Sequence, residues 1–392
     1  MPATERLELL IRREGPIPFD RFVDVALYEP GVGFFATGHG PGRSGRDFLT
    51  SPETGSLFGR LVARALDRSW VALDRPDPFV VIDAGAGTGR LAREALRAEP
   101  ACASALRYVM VERSAALRSA QRDLLRVEPA DEAFGPYAEG TDDERQVVPR
   151  SGPIVAALSE MPALEVVGVV VANELLDNLP FGIALRRGGE WREVVVALDG
   201  HGGFEEIVVP AAAADAAALD AAFGGVDVPD GARLPIPRGI DAWIAAVAGT
   251  LHRGHLLTID YAAPAAELAR RGGWLRTYRA HAPGEDALRN PGEQDITSDV
   301  VVEQLDRAAL AHGFTPWPRA TQAEWLRALG IDEIVATARD TWRARAHLGD
   351  IEAVAARSIV HEADALCDPS GLGAHLVCTY TRGDAPPPPD VH

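Results

Sequence analysis

The residues most able to do chemistry lie in three short stretches. The first is "VVIDAGAGTGRLA", Val80 to Ala92. An apolar run closes on an acid, Asp83, and then Gly85, Gly87 and Gly89 alternate with small residues before a new apolar segment begins. Glycines at these places let the backbone take positive φ and approach a ligand closely. A dinucleotide-binding loop needs G-x-G-x-x-G after a strand, and here Arg90 follows Gly89, so that fingerprint is broken. An acid in the loop repels a pyrophosphate but suits a ligand carrying a sulfonium, which favours S-adenosylmethionine over NAD. The second stretch is "RYVMVERS", whose Glu112 stands at the end of the next apolar run, where an acid can accept from both ribose hydroxyls. Asp83, Gly85, Ala86, Gly87, Gly89, Glu112 and Arg113 are therefore the expected cofactor contacts.

The third stretch is "VVVANELLDNLP". In an open α/β sheet the ligand crevice lies at the carboxyl ends of the strands flanking the switch point. With "VVIDAG" as strand one and "VVVANE" as strand four, Asn173 joins the cofactor set, and Glu174 and Asp177 are candidate catalytic acids. A further block, "RDFLTSPET", precedes the sheet and is expected to fold over the cofactor as a lid. Its Thr50 and Ser51 would be polar contacts and its Glu53 a third catalytic acid; Ser51-Pro52 with Glu53 is equally a helix-start signature.

The elements that must position these residues follow from patterning. Glu5–Arg13 and Pro18–Ala26 have apolar residues at helical spacing, and Leu57–Trp70 reads as an amphipathic helix. From Phe79 the pattern alternates: strand "FVVIDAG", helix Arg90–Arg97, strand "RYVMVERS", helix Ala115–Arg126, a weaker strand "GPIVAAL", and the β-branched strand "EVVGVVVANE". Helix Ile240–His252 and strand "HLLTIDYA" extend it. Such alternation implies a doubly wound parallel sheet. The expected organisation is N-terminal helices and lid over 1–75, a sheet domain over 76–180 and 238–382, an inserted subdomain with an Ala-rich helix over 181–237, and a disordered tail over 383–392.

Composition narrows the function classes. The 392 residues carry a net charge of −18, with 47% hydrophobic residues, which argues against a nucleic-acid binder. All 39 basic residues are arginine. Cys102, Cys367 and Cys378 are far apart with no CxxC, so neither a metal site nor a disulfide frame is expected. The charged N-terminus has no apolar signal region and no run is long enough to span a bilayer; a cytoplasmic protein without membrane partners is the expectation.

Several blocks in order carry a family resemblance. "ALYEPGVGFFATG", "GRSGRDFLTSPETGSLFG", "VVIDAGAGTGRLA", "VANELLDNLP", "GEWREVVV", "LLTIDYA", "GWLRTYRAH" and "NPGEQDITSDV" are similar to successive blocks of the MidA-like family of class I S-adenosylmethionine-dependent methyltransferases. The resemblance runs from about Leu27 to Phe314. The chain departs from the family pattern in an extra Arg46, in Arg60 after "FG", and in "AGAGTGRL" within the loop. The resemblance implies a class I methyltransferase (Rossmann-like) fold, S-adenosylmethionine as cofactor, and a protein substrate methylated on arginine. Two other functions are compatible with the same residues: a catalytically silent assembly factor, and a small-molecule methyltransferase.

Overall fold

The computed structural model describes residues 1–39, 50–134, 138–139, 146–147, 151–279, 282–284 and 286–389. Arg46 and the rest of the expected lid before Thr50 lie outside the described residues. The chain divides into two compact units, one of 1–48, 174–246 and 260–313, the other of 49–173, 247–259 and 314–392.

The second unit is built on the large sheet. Its strands are β1 (Phe79–Ala84), β2 (Leu106–Val111), β3 (Ile154–Leu158), β4 (Val166–Asn173), β5 (Leu251–Asp260), β6 (Phe314–Pro316) and β7 (Leu376–Arg382). They lie in the order β6-β7-β5-β4-β1-β2-β3, with a short Ala320–Thr321 strand also on β7. β1 pairs in parallel with β2 on one side and β4 on the other. The strand order therefore reverses between β1 and β4, as expected, which makes this the switch point of a doubly wound sheet. Both β1 and β2 are buried at every residue, which is why they read as continuous apolar runs rather than alternating ones.

Helices Leu57–Ala72, Arg90–Arg97 and Gln322–Ala328 bury Leu61, Phe58, Leu91, Trp325 and Leu326 in the same core as Phe79, Val81, Tyr108 and Met110. The helix Leu57–Ala72 approaches Arg90–Arg97 so closely that a Cβ on Gly59 would lie 2.5 Å from Glu94 Cβ. Two long helices, Ile331–Arg345 and Ile351–Leu366, pair with each other.

The first unit has its own antiparallel sheet, in the order Ile17–Pro18, Glu190–Leu198, Gly182–Arg187, Arg233–Ile236, with Phe204–Pro210 also on Glu190–Leu198. The helix Ala213–Phe223 is the expected Ala-rich one. This unit corrects the expected organisation. The N-terminal helices Ala3–Glu14 and Phe19–Tyr28 share one core with the segment taken as a separate insertion. Ile17 and Pro18 pair with Val196 and Val195, and the Phe19 and Phe22 rings meet Phe181 and Phe204 at 5.7 and 5.5 Å. Burying those rings together requires both segments, so neither is a domain alone.

A three-stranded sheet of 282–283, Leu275–Arg279 and Asp295–Ser298 completes the unit. The tail also departs from expectation over 383–389. Asp384 pairs with Arg253 at 2.8 Å and the Pro386 carbonyl lies 3.0 Å from His255 Nε2. Residues 390–392 lie outside the described residues.

Candidate active site

In the second unit the glycine loop leaves the carboxyl end of β1 at the switch point. Gly85, Gly87 and Gly89 all have positive φ, at 72°, 53° and 81°. The Val111 carbonyl accepts from the Gly85 and Ala86 N–H groups at 2.8 and 3.1 Å, which stitches the loop to the end of β2. Glu112 completes the stitch: its Oε2 accepts from Gly87 N–H at 3.0 Å and its Oε1 from Ser114 N–H at 2.8 Å. Ser114 in turn caps the helix Ala115–Leu124, its hydroxyl accepting from Leu117 N–H. Gln121 from that helix donates to the Gly87 carbonyl at 2.8 Å.

Asp83 is buried in β1, and its carboxyl accepts from the Tyr108 hydroxyl at 3.1 Å. Burial pushes its pKa up to about 7, with the Glu112 charge adding to the rise. Burial likewise raises the Glu112 carboxyl.

The loop fits the adenosyl cofactor. A Cβ built on Gly87 meets nothing within 4 Å, whereas one on Gly89 lies 2.9 Å from Met110 Sδ. Gly89 is therefore packed against the protein while Gly87 turns a bare backbone toward open space, as a ligand cradle requires. Among the described residues each Glu112 oxygen takes one backbone N–H, which leaves acceptor capacity for ribose hydroxyls. Asn173 ends β4; since Ala84 is aligned with Ala172, Asn173 leaves the sheet at the level where the glycine loop begins. Arg113 is exposed, and its carbonyl accepts from Arg118.

The Thr50–Glu53 segment sits beside this loop through one side chain. Arg90, the first residue after Gly89, donates to the Pro52 carbonyl at 3.1 Å and pairs with Glu53 at 3.6 Å. Glu53 thereby fastens the short helix Ser51–Thr54 to the helix that follows the loop. Ser51 is fully buried and its hydroxyl donates to Gln322 Oε1 at 2.9 Å. Thr50 is buried as the residue preceding that short helix.

The first unit collects the other acids. Glu174 directly follows Asn173 and is held at φ 52°, a region that residues with a Cβ visit rarely. The next residues, Leu176–Asn178, form a single tight turn. Asp177 is buried within it, its Oδ2 accepting from the Thr297 hydroxyl at 2.7 Å. Burial raises its pKa to about 6, against the pull of Thr297 and of the Arg276 charge. Asp260, buried at the end of β5, accepts from Leu175 and Leu176 N–H, and burial with the Asp177 charge pushes its carboxyl well above the ordinary range.

Arg276 and Arg271 both pair with the buried Asp299, and the Arg276 guanidinium lies 5.2 Å from the Tyr261 ring centroid. Tyr261 is itself an exposed aromatic. Asn178 is tied to Asp295 at 2.8 Å, and Tyr28 donates to its carbonyl.

The structure thus brings Glu174 and Asp177 into one cluster, while Glu53 belongs to the other unit with Arg90 as its partner. The patterning above did not single out Asp260, Asp299, Arg276 or Thr297. Asp260 had a readable signal, an acid closing an apolar strand just as Asp83 does in β1. Arg276 and Asp299 fall within the blocks "GWLRTYRAH" and "NPGEQDITSDV", but their ion pair, between the Leu275–Arg279 strand and the residue after Asp295–Ser298, is not announced by local spacing.

Comparison with known proteins fits this geometry. Residues 61–317 match the family model described as "Putative S-adenosyl-L-methionine-dependent methyltransferase". A Drosophila melanogaster protein named protein arginine methyltransferase NDUFAF7 homolog, mitochondrial, is 26% identical over 79% of this chain and 70% of its own length. The human protein arginine methyltransferase NDUFAF7, mitochondrial, is 26% identical over 84% of this chain and 74% of its own. Among solved structures, a COG1565 superfamily member from Burkholderia thailandensis, bound to S-adenosyl-homocysteine, superposes with a TM-score of 0.76 at 27% identity. That match covers 97% of this chain and 92% of the other. With its switch-point glycine loop, its strand-end acids and a match over most of the sheet, the chain belongs to the family of S-adenosyl-L-methionine-dependent methyltransferases.

Proposed function

We propose that this methyltransferase modifies a protein, and that the methyl acceptor is an arginine side chain. The observation that carries the reading is the turn beginning at Glu174: a half-buried acid with left-handed backbone, followed at once by buried Asp177 and held by buried Asp260. The names of the relatives at about 26% identity point the same way.

S-adenosylmethionine, when bound, supplies a methyl group on a sulfonium, a good leaving group in an in-line displacement. What the chain must add is alignment of the acceptor, for which orientation alone can contribute about 7–11 kcal/mol. A guanidinium is a poor nucleophile because its charge is delocalised and its pKa lies above about 12. A carboxylate facing one edge of its planar fork draws positive charge to that edge and leaves the far nitrogen electron-rich. Glu174 takes that role. Asp177 and Asp260 act behind it, on the turn that carries it, and Glu53 holds the Ser51–Thr54 helix against Arg90. Glu112 and the Gly87 backbone hold the ribose side of the donor.

The test is Glu174→Gln assayed with S-adenosylmethionine labelled in the methyl group. Turnover is expected to fall at least 100-fold while donor affinity, measured by calorimetry, stays within about three-fold. A loss of donor affinity instead would assign Glu174 to cofactor binding and refute its place at the acceptor.

A further inference from the structure

We infer that Asp260 is a positioning residue for methyl transfer, acting by clamping the backbone that follows Glu174. The inference rests on the proposal that Glu174 faces the acceptor, and it adds the residue that fixes Glu174 in place.

Three backbone donors converge on this one carboxylate. Asp260 Oδ2 accepts from Leu175 N–H at 3.1 Å and Leu176 N–H at 2.7 Å, and Oδ1 accepts from Tyr261 N–H at 2.8 Å. Leu175 and Leu176 are the two residues after Glu174, whose φ of 52° is unfavourable for a side chain bearing a Cβ. Such a conformation persists only where the surroundings over-determine it. The two bonds to Oδ2 supply that constraint: they fix the peptides on the far side of Glu174 while the β4 ladder fixes Asn173, paired with Ile259.

The site is also a costly place for an acid. Asp260 is 2% exposed, makes no ion pair among the described residues, and feels the charges of Asp177 and Glu174. Purely as a hydrogen-bond acceptor, a neutral side chain would be cheaper there. The two oxygens of Asp260 accept from all three N–H groups, whereas an amide would set an NH2 group against at least one of them. The carboxylate matches a position ringed by three N–H groups. Removing it frees Glu174 to relax from its φ of 52° toward right-handed backbone, which would swing its side chain away from its present direction.

The experiment uses the full-length protein, methyl-labelled S-adenosylmethionine, and the protein fraction of a lysate of the source organism as acceptor. Asp260→Asn keeps shape and size but sets an NH2 group against backbone donors. It is expected to lower kcat at least ten-fold with the donor KM and the calorimetric donor affinity within three-fold. Amide exchange at Leu175 and Leu176 should speed up at least ten-fold. The double variant E174Q/D260N should lie within three-fold of E174Q alone, because a residue acting through Glu174 has nothing left to act on.

A D260N enzyme with kcat within two-fold of the parent overturns the inference. So does a loss of donor affinity in step with kcat, which marks a general structural defect, or a double variant ten-fold below E174Q. If E174Q itself keeps the parent rate, the reading of Glu174 fails, and that result is separate from any effect of D260N. Should D260N not fold, D260S, whose hydroxyl is too short to span both amides, is held to the same criteria.

Discussion

Gly87 and Gly89 differ in what lies beside them, and that difference makes a sharp prediction. Both have positive φ, 53° and 81°, so alanine at either place carries the strain of a left-handed backbone, about 1–2 kcal/mol. At Gly87 nothing stands within 4 Å of the new methyl, so strain is the whole cost. For a folding unit of this size that is a fall in Tm of roughly 2–8 °C. At Gly89 the methyl would sit 2.9 Å from Met110 Sδ and 3.2 Å from Gln121 Cγ. Overpacking of that kind adds about 1–3 kcal/mol, so G89A should be clearly the less stable variant.

Donor affinity should rank the other way for its direct effect. The Gly87 methyl enters the space assigned to the cofactor, and G87A should lose at least ten-fold in S-adenosylmethionine affinity by calorimetry. As a control, G188A combines φ 58° with equally open surroundings in the other unit, and should show the same loss of stability with no change in affinity. If G87A binds the donor within two-fold of the parent protein, the open face of the loop is not the cradle and the assignment of the site is wrong.

Two further predictions concern the acids beside the loop. Asp83 has its carboxyl pushed from 3.8 up to about 7 by burial, so the folded protein holds this proton more tightly than the unfolded chain. Its contribution is present below the unfolded value and is lost as pH rises through about 7, by up to about 4 kcal/mol. The stability of the parent relative to Asp83→Asn should therefore fall between pH 4 and pH 8 in urea unfolding, and a constant difference would contradict the assignment. For Glu112→Ala, Gly87 and Ser114 N–H lose their acceptor; a stability loss of about 3 kcal/mol should accompany at least a ten-fold loss of donor affinity. Unchanged affinity would remove Glu112 from the cofactor site.

What the sequence disclosed and what it hid divide along physical lines. The strands β1, β2 and β4 are buried on both faces, so their apolar runs are unambiguous, and the glycine loop with Asp83 and Glu112 follows from local order along the chain. Hence the cofactor side was legible. The first unit was not, because what defines it is non-local: Ile17 pairs with Val196 and Phe19 meets Phe181, contacts that no local pattern announces. The acidic cluster suffered in the same way. Asp177 is visible in "NELLDNLP", but its partner Thr297 and the bracing Asp260 come from distant segments. Glu53, the acid expected from the "TSPET" block, lies 3.6 Å from Arg90, a pairing that the local sequence does not announce.

The most direct test of the central claim is to find where the methyl goes. The protein is incubated with methyl-labelled S-adenosylmethionine and lysate, and the labelled material is separated by mass and sequenced by mass spectrometry. The account predicts label on arginine side chains of a protein, present with the parent enzyme and lost with Glu174→Gln, whose donor affinity is intact. Label confined to small molecules, or on a different side chain, or equal with both enzymes, would contradict it.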